Sequence, residues 1–202
     1  MSAVDGIRRA ADVVAACIGL MLMAPVLAML AVAIGVTDGG SVFFRQRRLG
    51  LGGRPFELLK FRTMRPATAG RAHPDHDGDR VTRLGGWMRA LSIDELPSLI
   101  NLLRGDVSLV GPRPLPVHYW SRFRGDEYIR FETRPGITGL AQVSGRNLVS
   151  WDERLALDTE YVRTRSLLGD LRILGRTVPA ILGRTGINAE GAATMTELPA
   201  DR

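Results

Sequence analysis

The longest apolar stretch of the chain covers residues 13–36 and contains no charged side chain. A helix of this length can cross a hydrocarbon core of about 30 Å. Pro25 lies near its middle and removes a helical hydrogen bond, which predicts a kink. The segment is too long for the apolar region of a secretory signal peptide. A straight transmembrane helix is one interpretation. However, basic residues flank the stretch on both sides, which the positive-inside rule assigns to the cytoplasm. The flanking residues are Arg8, Arg9, Arg45, Arg47 and Arg48. A re-entrant helix broken at Pro25 satisfies both the charges and the proline.

Two shorter apolar runs, residues 41–44 and 56–64, flank a basic, glycine-rich segment at 45–53. This pattern predicts a small β-hairpin with the basic segment as its turn. Strand alternation then places Lys60 and Arg62 on one face, where they present two cations together. A solvated basic edge strand is the alternative interpretation.

A helical pattern begins near Asp94 and ends at Gly105. Its apolar positions are Leu96, Leu99, Ile100, Leu102 and Leu103. Pro97 belongs in the first turn, which favours Asp94 as the N-cap over Ser92. In either register, we expect the helix dipole to keep Asp94 and Glu95 ionised. In one interpretation, Asp94 caps the helix and Glu95 is a surface residue of its first turn. In the other, Asp94 is a nucleophilic carboxylate beside a second acid.

Later segments complete the expected fold. Residues 116–130 mix aromatic and arginine side chains, which suits an interfacial amphipathic helix or burial against the core. Residues 151–165 predict a charged helix, residues 167–182 are the next apolar segment, and the small, polar tail after residue 183 is a candidate for flexibility. We therefore predict a membrane-associated, mainly helical α+β protein. Residues 1–38 form its re-entrant, Pro-kinked helix, and residues 39–202 form a cytoplasmic catalytic domain with a small β-hairpin and interfacial amphipathic helices.

Composition narrows the class of partner. The chain has 202 residues and a formal net charge of +6, which predicts one domain with an anionic partner. Phosphates, anionic lipid head groups and nucleic acid all fit that charge. Lys60 is the only lysine, and an ammonium differs from a guanidinium in what it binds. The single cysteine excludes a disulfide framework.

Two proline- and glycine-rich segments are candidates for ligand binding. Arg113 lies between two prolines, so its backbone is rigid and little freedom is lost when it binds a phosphate. An ordinary proline-rich turn is the alternative. The glycine-rich residues 134–147 include amide and guanidinium groups suited to an anionic or sugar ligand, namely Gln142, Arg146 and Asn147.

Several long motifs in order resemble the bacterial sugar transferase family, the monotopic phosphoglycosyl transferases that act on polyprenyl phosphate. The matching segments are FFRQRRLGLGGRPFELLKFRTM, RVTRLGGWMRALSIDELPSLINLLRGDVSLVGPRP and RPGITGLAQVSGRN. A later pattern also matches and comprises Trp151, Asp158, Tyr161, Ser166 and Asp170. The resemblance extends from about residue 8 to the C-terminus and suggests a small member with the catalytic core alone. Family members often have Ser-Pro where this chain has Ala24-Pro25.

The resemblance implies a two-step reaction with Asp94 as the nucleophile. The carboxylate would attack the sugar-bearing phosphorus of a nucleotide diphosphate sugar, expel the nucleoside monophosphate and pass the phosphosugar to polyprenyl phosphate. Mg²⁺ would bridge Asp94 and the diphosphate, and Glu95 would be an auxiliary carboxylate. The implied phosphate or substrate contacts are Lys60, Arg62, Arg89 and Arg113, followed by Gln142, Arg146 and Asn147.

The resemblance also implies a cellular setting. The enzyme would lie at the cytoplasmic face of the bacterial inner membrane and use a UDP-linked sugar and undecaprenyl phosphate, with no nucleic acid partner. That reaction is the first membrane step of glycoconjugate or exopolysaccharide assembly. One alternative is a membrane-tethered protein that binds anionic lipid or nucleic acid without catalysis. Another is a one-step transferase in which Asp94 only holds the metal. The sequence leaves the sugar and the oligomeric state open.

Overall fold

The computed structural model describes residues 3–38, 40–65, 80–145, 149–182 and 197–199. These residues are mainly helical, with two small two-stranded sheets. The regular elements are α1 (Ala3–Asp38), β1 (Phe43–Leu49), β2 (Pro55–Phe61), α2 (Arg83–Ala90), α3 (Leu99–Arg104), β3 (Ser108–Val110), β4 (Gly136–Thr138), α4 (Leu140–Val143), α5 (Trp151–Thr164) and α6 (Leu167–Leu182). Short 3₁₀ helices occupy Leu51–Gly53, Ile93–Ser98, Val117–Arg122 and Gly125–Glu132.

The apolar stretch forms α1, and this helix continues through Pro25. It is long and apolar enough to cross a membrane by length and composition. Its 36 residues would measure about 54 Å if the helix were straight, which exceeds the hydrocarbon thickness of a bilayer. Most of its large apolar side chains are exposed on one side, for example Met21, Met29 and Val32.

Both ends of α1 pack against the rest of the protein. Near its start, Arg8 Nε donates to Asp170 Oδ2 at 2.7 Å, and Arg9 donates to the carbonyl of Leu102 at 2.7 Å. Near its end, Leu30 and Ile34 are buried in one apolar cluster with Phe61 and Met88. The two halves of α1 therefore rest on the same body.

The predicted hairpin is present, but the basic segment lies in β1 rather than in the turn. The strands are antiparallel, with Phe44 opposite Lys60 and Arg48 opposite Phe56. Arg48 and Gln46 are half-buried, whereas Arg45 and Arg47 point into solvent. The expectation that residues 45–48 form part of the turn was wrong. Side chains alternate between the two faces of a strand, so a basic strand can direct Arg45 and Arg47 to solvent and still pair with β2.

The central stretch does not begin as an α-helix capped by Asp94. Ser92 has φ 56° and no capping side-chain bond, and residues Ile93–Ser98 form a 3₁₀ helix. Pro97 lies inside this tight turn, and α3 begins only at Leu99 because a proline cannot donate to an α-helical ladder. Both proposed capping patterns were therefore wrong. The predicted end is confirmed, since Gly105 adopts φ 87° at the C-cap of α3.

Asn101 joins the central stretch to the hairpin. It is fully buried in α3, and its side chain accepts from Leu59 N at 2.9 Å and donates to Glu57 O at 2.7 Å. Its amide also donates to Asp106 Oδ2 at 2.9 Å. Because β2 is held at Leu59, the adjacent Lys60 is placed next to the 3₁₀ helix.

The glycine-rich segment contributes close packing of two backbones. β3 and β4 pair in parallel, and Gly136 N donates to Pro112 O at 2.9 Å. A Cβ atom at position 136 would lie 2.1 Å from Gly111 N, which is too close for any residue with a side chain. These glycines form a rigid wall behind Arg113.

Residues 116–130 do not form a single interfacial helix. Most of them lie in two 3₁₀ helices, and Tyr119 and Phe123 are buried in one apolar cluster with Phe131. Burial in the core was the competing interpretation, and the structure supports it. Leu198 of the tail is fully buried in the same cluster, whereas Glu197 and Pro199 on either side of it are exposed.

Candidate active site

Glu95 of the predicted carboxylate pair and two of the predicted cations meet at one cleft, and Asp94 precedes Glu95 in the same 3₁₀ helix. The 3₁₀ helix provides Asp94 and Glu95, β2 provides Lys60, and the segment after β3 provides Arg113. Lys60, Glu95 and Arg113 line the cleft together with Arg48. The sequence separations are large, so the cleft is a product of tertiary folding.

Glu95 is held by two cations. Its Oε1 accepts from Lys60 Nζ at 2.6 Å and from Arg113 Nη2 at 2.9 Å. The Lys60 and Glu95 side chains are only 15% and 26% exposed. Burial raises the pKa of Glu95, but Arg113 and Lys60 outweigh burial and hold that pKa far below its usual range. Glu95 is therefore a fixed negative charge at neutral pH.

Asp94 has a different environment. Burial raises its pKa above 3.8, and the neighbouring Glu95 charge acts in the same direction. Lys60, Arg89 and Arg113 oppose that rise. No hydrogen bond joins the Asp94 carboxylate to another residue within the described part of the chain. The expected source of stabilisation, the dipole of an α-helix that begins at Asp94, is absent because residues Ile93–Ser98 form a short 3₁₀ helix.

Arg48 is a site residue that the sequence analysis did not single out. It lines the cleft, and its Nη1 donates to Pro114 O at 3.1 Å. Burial and the nearby Arg113 charge lower its pKa to about 10. The available signal was strand alternation extended through residue 49, which places Arg48 on the same face as Lys60.

The other predicted contacts have separate positions. Arg89 is near enough to Asp94 to lower its pKa. Arg62 Nη1 lies against Gly40. Gln142 lies in α4 with its amide against Gly139, and both amide atoms are buried without a hydrogen-bond partner among the described residues. Arg146 and Asn147 lie outside the described residues.

The donor atoms available to a metal are few. Within the residues that the structure describes, no group of three or more His, Cys, Asp or Glu side chains could hold a metal ion. The candidate carboxylates are Glu95, which lines the cleft, and the adjacent Asp94, and Glu95 Oε1 already accepts from two cations.

The apolar helix reaches this site. Ile93, which precedes Asp94, packs against the cluster that contains Leu30 and Ile34 of α1. Val26 and Leu27, next to Pro25, pack against the same cluster. The long apolar helix and the carboxylate pair are therefore neighbours in the folded protein.

Comparisons with known proteins found relatives that match most of the chain. The sequence profile of the family "Bacterial sugar transferase" matches residues 3–184. UDP-glucose:undecaprenyl-phosphate glucose-1-phosphate transferase of Caulobacter vibrioides is 47% identical over 190 residues, which cover 89% of this chain and 71% of the relative. Exopolysaccharide production protein ExoY of Rhizobium meliloti is 40% identical, with 86% of this chain and 84% of the relative covered. Uncharacterized sugar transferase EpsL of Bacillus subtilis is 41% identical, with 93% of each chain covered.

The site and these relatives define the class of protein, an enzyme that transfers a sugar phosphate. Specifically, the chain belongs to the bacterial sugar transferase family. The family expectation from the sequence motifs is thereby confirmed.

Proposed function

We propose that this enzyme transfers a sugar 1-phosphate from a UDP-linked sugar to a polyprenyl phosphate. The observation that carries the proposal is the difference between the two adjacent carboxylates, since Glu95 accepts hydrogen bonds from two cations. Asp94 makes no hydrogen bond to the described residues and lies among Lys60, Arg89 and Arg113. A carboxylate that makes no hydrogen bond to the described residues and lies near three cations suits attack on a phosphate. The named relative from Caulobacter vibrioides supports the choice of UDP-sugar and undecaprenyl phosphate.

The reaction proceeds in two steps. An Asp94 oxygen attacks the sugar-bearing phosphorus, and the bond to the bridging oxygen breaks as the nucleoside monophosphate leaves with that oxygen. The resulting acyl phosphate carries the sugar. A phosphate oxygen of the polyprenyl phosphate then attacks the same phosphorus and releases the Asp94 carboxylate. Two steps allow a soluble donor and a lipid acceptor to use one site in turn.

Glu95 acts by holding the two cations rather than by moving a proton. A carboxyl group with such a low pKa is a poor proton acceptor at neutral pH. Its two ion pairs keep Lys60 and Arg113 at the cleft, where they can also meet the oxygens of a diphosphate. Arg48 adds a further positive charge on the same wall.

Mg²⁺ is the proposed cofactor, with Asp94 as its protein ligand. Magnesium sites in phosphoryl transfer commonly use one or two carboxylates and complete their coordination with substrate oxygens and water. Asp94, whose oxygens make no hydrogen bond to the described residues, fits such a site. The ion, when bound, neutralises charge on the diphosphate. Chelation should abolish nucleoside monophosphate release, and added Mg²⁺ should restore it.

We infer a membrane arrangement from the contacts of α1. Residues 1–38 form a re-entrant helix that returns to the cytoplasmic face of the inner membrane, and residues 39–202 form the catalytic domain. The contacts of Arg8 and Ile34 with one body support this arrangement, because a spanning helix would separate its ends by a bilayer. The packing of α1 beside Ile93 would bring a lipid acceptor near Asp94.

A donor panel with a trapping assay tests the function. The purified protein in undecaprenyl phosphate-containing micelles is given a series of nucleotide sugars, and nucleoside monophosphate release is measured. We expect one UDP-sugar to react and a phosphosugar adduct on Asp94 to be detected by mass spectrometry when the acceptor is omitted. Asp94→Asn should abolish the adduct and reduce turnover on the order of 10³–10⁴-fold.

A matched control and the contrary results complete this test. Asp126 is an exposed aspartate outside the cleft, and Asp126→Asn should leave turnover unchanged. Normal turnover by Asp94→Asn would refute the nucleophile. Turnover without an adduct, lost in Asp94→Asn, would support the one-step transferase. Absence of reaction with every donor would refute the proposed function.

A further inference from the structure

Two motif residues of α5 play no part in the proposed chemistry. Asp158 and Tyr161 are both buried, and neither lines the cleft around Glu95. Their contacts lead instead to residues 110–114, the segment that carries Arg113.

The backbone of this segment is held by four different parts of the fold. The contacts are Tyr161 Oη to Val110 O at 3.1 Å, Gly136 N to Pro112 O at 2.9 Å, Arg130 Nη2 to Arg113 O at 2.8 Å and Arg48 Nη1 to Pro114 O at 3.1 Å. The prolines on either side of Arg113 fix their own φ angles. The backbone from which the Arg113 side chain extends is therefore fixed on both sides of the residue.

Arg130 makes the contact at Arg113 itself and is locked in place. Its Nε and Nη2 donate to Asp158 Oδ2 at 3.2 and 2.8 Å. The Arg130 and Asp158 side chains are only 2% and 1% exposed. The guanidinium also lies over the rings of Phe123 and Phe131 at 5.4 and 5.2 Å from their centres. One guanidinium thus joins α5, the Gly125–Glu132 helix and the Arg113 backbone.

A buried ion pair is weak evidence for a stabilising role. The cost of removing two charges from water commonly cancels their attraction, and apolar pairs of similar size are often as stable. What an apolar pair cannot supply is the hydrogen bond to the Arg113 carbonyl. From this geometry we propose that Arg130 and Asp158 are positioning residues that hold Arg113 toward Glu95 and the donor phosphates.

This inference rests on the proposed function for its kinetic test. Arg113 reaches Glu95 with one Nη2 contact of 2.9 Å at the end of a long side chain. A shift of its backbone by about 1 Å would misdirect the guanidinium, and errors of that size can reduce turnover about 100-fold.

The decisive variant replaces the whole pair by apolar residues, Arg130→Met with Asp158→Leu. We expect a folded protein whose unfolding midpoint falls only by the loss of the donor to the Arg113 carbonyl, and a kcat/KM for nucleoside monophosphate release that falls about 10- to 100-fold. The same pair of changes in an Arg113→Ala background should reduce kcat/KM by less than twofold further. An equal reduction in both backgrounds would overturn the proposal.

The chain offers a matched control pair. Arg163 and Asp126 join the same two elements, but both side chains are exposed. Arg163→Gln with Asp126→Asn should leave kcat/KM unchanged. A comparable loss in this control would mean that general docking of α5 matters, and would also overturn the proposal.

A second variant keeps the proposal testable if the first does not fold, and a second measurement keeps it testable if no active donor is found. If the apolar pair does not fold, Arg130→Lys takes its place in the same cycle, since it keeps a charge for Asp158 but loses the guanidinium fork. Urea unfolding of the unchanged protein, the variant at Arg130 and Asp158, Arg113→Ala and their combination needs no substrate. Non-additive midpoints would support coupling to Arg113, and additive midpoints would contradict it even if every donor tested is inactive.

Discussion

Asp94 and Glu95 are adjacent in the chain, yet their carboxylates have opposite properties. Lys60 and Arg113 hold Glu95 and lower its pKa, whereas burial raises the pKa of Asp94. Neighbouring residues on a tight helix point in different directions, so each meets different partners. At the scale of residues, the site therefore separates a fixed anion from a carboxylate whose charge depends on pH.

The raised pKa of Asp94 predicts an acid limit of activity. Because the nucleophile must be ionised, kcat/KM should fall as the pH drops through a value above 3.8, the ordinary pKa of an aspartate. Lys60 lowers the Asp94 pKa, so Lys60→Met should move this limit to higher pH. Profiles of nucleoside monophosphate release from pH 4 to 8 test this. A limit that stays in place or moves to lower pH would contradict it.

The low pKa of Glu95 predicts a specific stability loss. Its ion pairs contribute stability above pH 4.5, and that contribution is lost as the pH falls through the much lower folded-state pKa. Glu95→Gln should destabilise the protein by about 2 kcal/mol at pH 7, because two cations are left facing each other. Glu57→Gln, whose partner Arg45 is exposed, should cost little. Equal unfolding free energies for the two variants would refute this account.

At the scale of the elements, the buried side-chain amide of Asn101 joins α3 to β2. Asn101 of α3 bonds to both Leu59 N and Glu57 O of β2, and Glu95 lies in the 3₁₀ turn that runs into α3. The pairing of β2 with β1 then brings Lys60 and Arg48 to one face. An amide in an otherwise apolar helix thus sets the distance between the carboxylates and their cations.

Replacement of this amide should weaken both the fold and the site. Asn101→Leu leaves Leu59 N and Glu57 O buried without their partner, and we expect a loss of about 3 kcal/mol in the free energy of unfolding. We also expect a fall in kcat/KM, because Lys60 moves with β2. Leu103→Ala, at an exposed position of α3, should have little effect on either quantity. Urea unfolding and donor turnover measure the two effects, and a stable, fully active Asn101→Leu would contradict them.

At the scale of the whole molecule, α1 is both an apolar surface and a structural element. Arg9 donates to two carbonyls at the C-terminal end of α3, while Ile34 is fully buried beside Met88. The side of α1 that faces away from these contacts is rich in exposed apolar residues. The protein can therefore remain folded against α1 while its outer face meets lipid.

Cysteine labelling tests where the ends of α1 lie. In a Cys17→Ser background, Gly6→Cys and Thr37→Cys place one thiol near each end, and a Cβ at Gly6 meets no other atom within 4 Å. We expect a membrane-impermeant maleimide to label both positions in inverted vesicles and neither in intact spheroplasts. Labelling of Thr37→Cys from the outer side alone would show a spanning helix.

The local pattern of the sequence determined the long apolar helix, the hairpin, α5 and the stop at Gly105, because each depends on neighbours in the chain. The motifs around Lys60, Asp94 and Arg113 also identified the family. Only the tertiary structure decided that Glu95 binds both cations, that Asp94 stays without a hydrogen bond to the described residues, and that Arg48 and Arg130 support Arg113. Lys60 and Arg113 are 35 and 18 residues away from Glu95. Charge interactions and burial depend on distance in space, and that distance is set by contacts such as those of Asn101 and Asp158.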